Sequence, residues 1–188
     1  APLPRMDYSH GIASASRTLV VVRTLLGSAE RIDEMVEALE VRFLANRDVH
    51  LHYGLLTDFH DAATEHLPGD EALVAAVATK IAALNARYGP PANSNSGDTF
   101  FLFHRPRRWN ARERVWMGHE RKRGKLADLN ALLRGKAQAG PGEVFSHIVG
   151  DTRGLTNVRY VITLDADTQL PRDAAVQFVA TMAHPLNR

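Results

Sequence analysis

The sequence predicts an α/β protein of the three-layer α/β/α class, built around a mostly parallel sheet. Apolar, β-branched runs alternate along the chain with segments of helical spacing, and these runs are continuously apolar instead of alternating with polar residues. Continuously apolar strands are typical of parallel sheets, which helices cover on both faces. The composition agrees, because 45% hydrophobic and 23% charged residues are typical of a globular domain and exclude overall disorder.

The first half of the chain contains two predicted strands and two predicted helices, after a lead-in over residues 1–17. The elements are a strand over Thr18–Leu26, a helix over Glu30–Asn46, a strand over His50–Thr57 and a helix over Asp70–Tyr88. Ser28 and Asp70 are residue types that commonly cap a helix N-terminus, so each is the predicted cap of the helix that follows it. The second helix must stop where a glycine and two prolines follow Tyr88.

The second half continues the alternation, with a basic segment inserted. The predicted elements are a polar loop over Asn93–Asp98, a strand over Thr99–His104, a helix over Lys125–Arg134, a strand over Val158–Leu164 and a helix over Pro171–His184 that buries Phe178. Residues 136–154 contain four glycines and one proline, so we expect mostly loop there. In such sheets, ligands bind beyond the carboxyl ends of the strands.

Charge is unevenly distributed along the chain. The formal net charge is only +2, yet the stretch Arg105–Lys125 holds nine Lys or Arg residues against two acids. Such a stretch indicates a localised anion as partner, either a phosphate group, a nucleic-acid backbone or an anionic lipid surface. The chain has no cysteine, which excludes disulfide scaffolds, zinc–cysteine sites and thiol catalysis.

The most informative segment is the predicted strand that ends in Asp165-Ala166-Asp167. Two carboxylates at a strand end are hard oxygen ligands that suit Mg²⁺ or Mn²⁺, which takes the rest of its shell from water and substrate phosphates. Acids at this position also cap helices or solvate a strand end, and that alternative stays open. The segment resembles a haloacid-dehalogenase phosphatase signature as well, but Gln169 stands where that signature needs Thr.

Two further residues are candidates for a nucleotide-type ligand. Lys125 follows Gly124 at a predicted helix start, where backbone N–H groups and the helix dipole favour an anion. Asp58 ends the second strand, where a carboxylate can accept a hydrogen bond from a nucleobase N–H or a ribose hydroxyl. A solvated basic turn and a helix cap are the corresponding structural alternatives.

Taken together, these segments resemble the nucleotide-sugar half of a GT-A glycosyltransferase, a group that includes the family-2-like processive synthases. More closely, Trp116–Leu126 and Val158–Ala175 resemble the glycosyltransferase region of bacterial cyclic β-1,2-glucan synthases, and Leu55–Phe59 and Phe100–Asn110 do so too. The resemblance covers nearly the whole chain from Thr18. Many GT-A proteins have proline just after the first strand, and in this chain Arg23 stands in that region.

That resemblance implies an inverting hexosyltransferase that uses UDP-glucose, Mg²⁺ or Mn²⁺ and a glucan acceptor to make β-1,2-linked glucan, and no nucleic-acid partner. Residues 18–188 would be the nucleotide-sugar-binding part, a partial domain cut from a large inner-membrane protein with its transferase region on the cytoplasmic face. Asp58, Lys125, Asp165 and Asp167 would bind the donor, and Asp165 and Asp167 the metal. The catalytic base is expected beyond Arg188, so the fragment alone would be catalytically incomplete.

Overall fold

The computed structural model describes residues 1–90, 97–136, 140 and 143–187. In these residues it contains seven strands: β1 (Thr18–Leu26), β2 (Leu51–Phe59), β3 (Phe100–His104), β4 (Arg108–Asn110), β5 (Val115–Met117), β6 (His147–Val149) and β7 (Tyr160–Asp165). The α-helices are α1 (Ala29–Ala45), α2 (Asp70–Tyr88), α3 (Arg121–Leu133) and α4 (Ala174–Ala183). None of the helices in these ranges combines the length and apolarity that a bilayer crossing needs.

Five of the strands form one sheet in the order β6-β3-β2-β1-β7. Strands β3, β2, β1 and β7 are parallel, and β6 joins the edge of β3 in the antiparallel direction. The register pairs Leu25 with Asp58 and Arg23 with Asp165, so the carboxyl ends of β1, β2 and β7 meet at one edge. This topology places chemistry-bearing side chains from distant parts of the sequence next to each other.

Helices cover both faces of the sheet. On one face, α1, α2 and α4 contribute Ile32, Leu39, Val77, Ile81 and Val179 to a core with alternate residues of β1, β2 and β3. On the other face, Leu129 of α3 packs with Phe145 and Leu155 against Leu19, Val21, Phe101 and Phe103. The predicted α/β class with a mostly parallel sheet is therefore confirmed, and the continuously apolar strands are explained by burial on both sides.

Several local predictions need correction. Residues inside the basic stretch form the antiparallel β4–β5 pair, which was not predicted, and residues 147–149 form β6 within the segment that was expected to be mostly loop. Helix α3 begins at Arg121, four residues before the predicted start at Lys125. Phe178 is half exposed, although its spacing predicted burial. Of the predicted loop Asn93–Asp98, residues 93–96 lie outside the described residues.

The two predicted helix caps differ in outcome. Ser28 caps α1 as predicted, since its hydroxyl accepts from the Arg31 N–H. Gly69 instead occupies the N-cap position of α2, and the Asp70 carboxylate accepts from the Leu67 N–H in the preceding turn. Asp70 thus organises the entry to α2 without capping it.

Candidate functional site

A cavity of about 450 Å³ opens at the sheet edge where β1, β2 and β7 end, with α3 along one side. It is lined by Arg23, Thr24, Leu25, Asp58, Phe59, Asp61, Gly118, Arg121, Lys122, Lys125, Asp165, Ala166 and Asp167. All four predicted donor-binding residues, Asp58, Lys125, Asp165 and Asp167, are among them. A larger cavity of about 760 Å³ lies between residues 5–12 and α4 and holds none of the four.

Asp165 and Asp167 reach the cavity from the end of β7 and the turn after it. The Asp165 carboxylate accepts from the Arg23 guanidinium at 2.8 Å, and the Lys122 ammonium lies 3.6 Å from the same oxygen. Asp167 is exposed in the turn. One carboxylate is thus held by cations from β1 and α3, while the other faces solvent at the cavity.

The turn that carries Asp167 is fixed by side chains of α1. The buried Arg42 guanidinium donates to the carbonyl oxygens of Ala166 at 3.0 Å and Thr168 at 2.6 Å. Asn46 donates to the Leu170 carbonyl and accepts from the Ala175 N–H at the start of α4. Burial lowers the pKa of Arg42 below its ordinary value, but an arginine stays protonated. Helix α1 therefore sets the position of the two carboxylates from behind.

Asp58 is 3% exposed and lies between two cations. Its two oxygens accept from Arg105 at 2.8 Å and 3.0 Å, and the Lys125 ammonium lies 3.2 Å from one of them. Gly118 passes so close that a Cβ there would lie 2.5 Å from the carboxylate. Asp58 consequently forms part of the cavity wall, with its charge already balanced by the protein.

Arg105 organises this corner of the cavity and was not singled out by sequence. Besides Asp58, its guanidinium donates to the Asp128 carboxylate at 2.8 Å and to the carbonyls of His119 and Arg121. Burial disfavours the charged form, but the hydrogen bonds and charges of Asp58 and Asp128 raise the pKa of Arg105 above its ordinary value. A single buried cation therefore ties β2, β3 and the start of α3 together.

Lys125 differs in one respect from the prediction. It lies in the second turn of α3, where its side chain is 5% exposed and its ammonium donates to the Thr24 carbonyl at 2.9 Å. The Gly124 N–H already donates to the Glu120 carbonyl, so the expected anion-binding backbone at this point does not exist. Burial lowers the pKa of Lys125, while the Asp58 carboxylate opposes that shift. Lys125 contributes its charge from the cavity wall.

The carboxylates at this edge fit a Mg²⁺ or Mn²⁺ ion only in part. Asp165 and Asp167 line one cavity, but within the described residues no group of three His, Cys, Asp or Glu side chains converges to hold a metal. Mg²⁺ is usually bound by one or two carboxylates together with waters and substrate phosphates. The residues present thus fit a metal that shares its shell with a phosphate-bearing ligand.

Three of the nine basic residues in the stretch Arg105–Lys125 are withdrawn from the surface. Arg105, Arg107 and Lys125 are buried, and Arg107 donates to the Asp70 carboxylate and to the carbonyls of His60 and Glu65. Arg121 pairs with Asp61 and Glu113. Binding to a nucleic-acid backbone or an anionic lipid surface depends on accessible cations. That alternative would therefore rest on the exposed members of the stretch, which besides Arg121 are Arg108, Arg112, Arg114, Lys122 and Arg123.

Some of the residues that build the site gave a weak signal in the sequence. Arg42 and Asn46 stand on the apolar stripe of α1, three and seven residues after Leu39, where a polar side chain needs a buried partner. Arg105 follows directly after the apolar run of β3. Each of these polar residues stands in or directly after an apolar pattern, which indicates a buried hydrogen-bond partner. The sequence alone does not identify that partner.

Comparison with known proteins gives one informative match. No protein-family model matches the chain. The chain is 41% identical over 182 residues, 97% of its length, to cyclic β-(1,2)-glucan synthase NdvB from Rhizobium meliloti (strain 1021). The chain spans only 6% of the length of that protein. The resemblance found in the sequence motifs is thereby confirmed.

Proposed function

The chain is homologous to one region of a cyclic β-(1,2)-glucan synthase, and from this premise we propose that it is the donor-binding part of a glycosyltransferase that builds β-1,2-glucan from UDP-glucose. The observation that carries the proposal is the convergence of Asp58, Lys125, Asp165 and Asp167 on one cavity at the carboxyl edge of the sheet. The parallel order of β3, β2, β1 and β7 is compatible with a GT-A fold, which we propose as the architecture.

In this proposal the cavity binds the diphosphate of the donor. When bound, Mg²⁺ or Mn²⁺ would neutralise charge on the departing diphosphate as a Lewis acid. Asp165 and Asp167 would hold the ion, and Arg42 would keep their turn in place through the carbonyls of Ala166 and Thr168. Lys125 would add a fixed positive charge, which is effective because it is buried and needs no reorganisation.

In this proposal, recognition of the nucleobase is not the main role of Asp58. Since Arg105 and Lys125 already contact both of its oxygens, Asp58 mainly holds Lys125 at the cavity. One lone pair, on Oδ1, would remain for the uracil side of the donor. The Gly118 backbone, which approaches the carboxylate closely, would limit the space there.

We propose that the described residues bind the donor but do not complete the active site. An inverting transfer needs a base behind the acceptor hydroxyl. Of the carboxylates that line the cavity, Asp58, Asp61 and Asp165 are paired with cations, and Asp167 is the proposed metal ligand. The base and the glucan acceptor would then be held by other parts of a larger synthase, with the transferase region on the cytoplasmic face of the inner membrane.

Calorimetric titration with UDP-glucose, UDP and uridine, each with and without Mn²⁺, tests this function. We expect Mn²⁺ to strengthen binding of both diphosphates, and Asp165→Asn or Asp167→Asn to abolish that gain. Lys125→Ala should weaken UDP by about 1.5–3 kcal/mol, the range for hydrogen bonds to charged groups, and leave uridine nearly unchanged. Asp33→Asn, on the exposed surface of α1, is the matched control. Equal affinity with and without metal would remove the metal role, and equal losses for UDP and uridine would remove Lys125 from the diphosphate site.

A further inference from the structure

Arg23 has a buried donor atom without a hydrogen-bond partner among the described residues. Its Nε is buried and makes no hydrogen bond to any residue that the structure describes. Among the described residues, only one other buried side-chain nitrogen or oxygen, His104 Nε2, lacks a hydrogen-bond partner. His104 does not line the cavity. A buried donor without an acceptor costs about 1–3 kcal/mol, so such a group calls for a ligand or another explanation.

The rest of the guanidinium is held at the same end of the cavity. Arg23 and Asp165 are register partners on the adjacent strands β1 and β7, and Arg23 Nη2 donates to Asp165 Oδ1 at 2.8 Å. The Arg23 side chain is 18% exposed, and it lines the cavity with Lys122, Lys125 and Asp167. The strand β1 thus holds a guanidinium at the cavity whose Nη2 is hydrogen-bonded and whose Nε is not.

A phosphate oxygen has the chemistry that this fork lacks. Arginine presents five N–H donors in a plane and binds phosphate through two parallel hydrogen bonds. A diphosphate in the cavity could accept from Nε together with an Nη, which would satisfy the buried donor. Sugar hydroxyls can also accept from a guanidinium, but only the phosphate oxygens add charge to the hydrogen bonds and so make them stronger.

We infer that Arg23 is a diphosphate-binding residue with two alternative partners, the Asp165 carboxylate and the diphosphate of the donor. This inference rests on the proposed function and extends it to a residue at which the chain departs from the pattern of the resembling families. Since Arg23 contacts the same carboxylate that would bind the metal, Arg23 also competes with the metal for Asp165. When the diphosphate takes over Arg23, Asp165 becomes available to the ion, so nucleotide and metal bind cooperatively.

If Arg23 competes with the metal for Asp165, then Arg23→Met should weaken the binding of UDP and strengthen the binding of Mn²⁺. Arg23→Met should weaken UDP binding at saturating Mn²⁺ by about tenfold or more, because a charge-assisted contact to phosphate is lost. The same variant should bind Mn²⁺ severalfold more tightly without nucleotide, because Asp165 loses its guanidinium partner. Arg23→Lys should fall between parent and Arg23→Met for UDP, since an ammonium binds phosphate without the fork.

The measurements are UDP affinity by calorimetry and Mn²⁺ affinity by electron paramagnetic resonance, with circular dichroism to compare the folds. Arg87→Met, which removes a surface pair with Glu40, is the control and should change neither affinity. Weaker binding of both ligands, or no change in either, would overturn the inference. If Arg23→Met does not fold, the UDP affinity of Arg23→Lys tests the inference instead. An affinity equal to that of the parent chain would overturn the inference. If the parent chain itself shows no Mn²⁺-dependent UDP binding, the proposed function fails, and the inference fails with it.

Discussion

At the residue scale, the buried arginines of this protein hold backbone carbonyls as well as carboxylates. Arg105 joins Asp58 and Asp128 to the carbonyls of His119 and Arg121, and Arg42 joins α1 to the turn after β7. A buried ion pair is weak support for stability, but removal of one partner typically costs about 3–5 kcal/mol. The value of these arginines therefore lies in the positions that they impose on the cavity.

Two buried histidines predict how stability depends on pH. Burial lowers the pKa of His52 to about 4 and that of His104 to about 3, both below the ordinary value of 6.5. Below about pH 6.5 the unfolded chain binds protons that the folded chain excludes, so the free energy of unfolding falls as the pH falls. Each histidine contributes a slope of at most about 1.4 kcal/mol per pH unit, from about pH 6.5 down to its folded pKa.

His104→Asn tests this prediction through urea unfolding between pH 7 and 5. The variant should show a shallower decline in the free energy of unfolding than the parent, because one of the two excluded protons is no longer involved. His66→Asn, at a histidine whose side chain is 81% exposed, is the control and should keep the parent's slope. An unchanged slope in His104→Asn would show that His104 takes up its proton equally in both states.

Single residues differ in how far the sequence reveals their role. Asp165 and Asp167 could be placed at a sheet edge because the strand that precedes them has an unambiguous apolar pattern. Arg42 could not be placed, because its acceptor Thr168 is 126 residues away along the chain and the contact exists only after packing. Arg23 was recognised as a departure from a family pattern, but its pairing with Asp165 depends on the register of β1 against β7.

At the element scale, the start of α3 is the part of the site with the tightest backbone geometry. Glu120 and Arg121 have φ of 51° and 46°, in the left-handed region that costs non-glycine residues about 1–3 kcal/mol. The carbonyls of His119 and Arg121 on this turn accept from Arg105, which offsets the strain. The helix thus begins where a buried cation fixes it, one turn earlier than the glycine-lysine pair suggested.

Gly124→Ala tests this geometry, because the expected change in stability is opposite to the usual effect of replacing a helical glycine with alanine. Alanine in place of glycine inside a helix normally stabilises by about 0.5–1 kcal/mol. At Gly124 an added Cβ would overlap the His119 carbonyl oxygen, which is backbone and also an acceptor for Arg105. We expect destabilisation by about 1–3 kcal/mol in urea unfolding, as for overpacked sites, together with weaker UDP binding. A gain in stability would contradict the described approach of α3 to the preceding turn.

Elements with a strong period were predicted well, and short ones were not. Strand β1 and helices α1 and α2 follow long apolar patterns, so their bounds agree with prediction within one or two residues. Strands β4, β5 and β6 have three residues each, which is too short for a period to register. Their pairing is set by neighbouring strands rather than by their own residues.

At the scale of the whole molecule, the order of the parallel strands brings the site together. Strand β1 is an interior strand that pairs with β2 on one side and with the edge strand β7 on the other, although β7 lies more than one hundred residues later in the sequence. Alternation of strands and helices predicted a parallel sheet, but not which strands are neighbours. The family resemblance implied that Asp58, Lys125 and Asp165 share one ligand, but the strand order that brings them together became evident only from the topology.

We propose that a metal-bound nucleotide diphosphate lies in the cavity between β1, β2, β7 and α3. Paramagnetic broadening of backbone amide signals by Mn²⁺–UDP tests it most directly, with Mg²⁺–UDP as the diamagnetic reference. We predict that broadening centres on Leu25, Gly118 and Ala166, which line this cavity, and that Asp167→Asn removes it. Broadening centred on Gly11 and Gln177, which line the larger cavity, or spread without a centre over the basic residues, would contradict the claim.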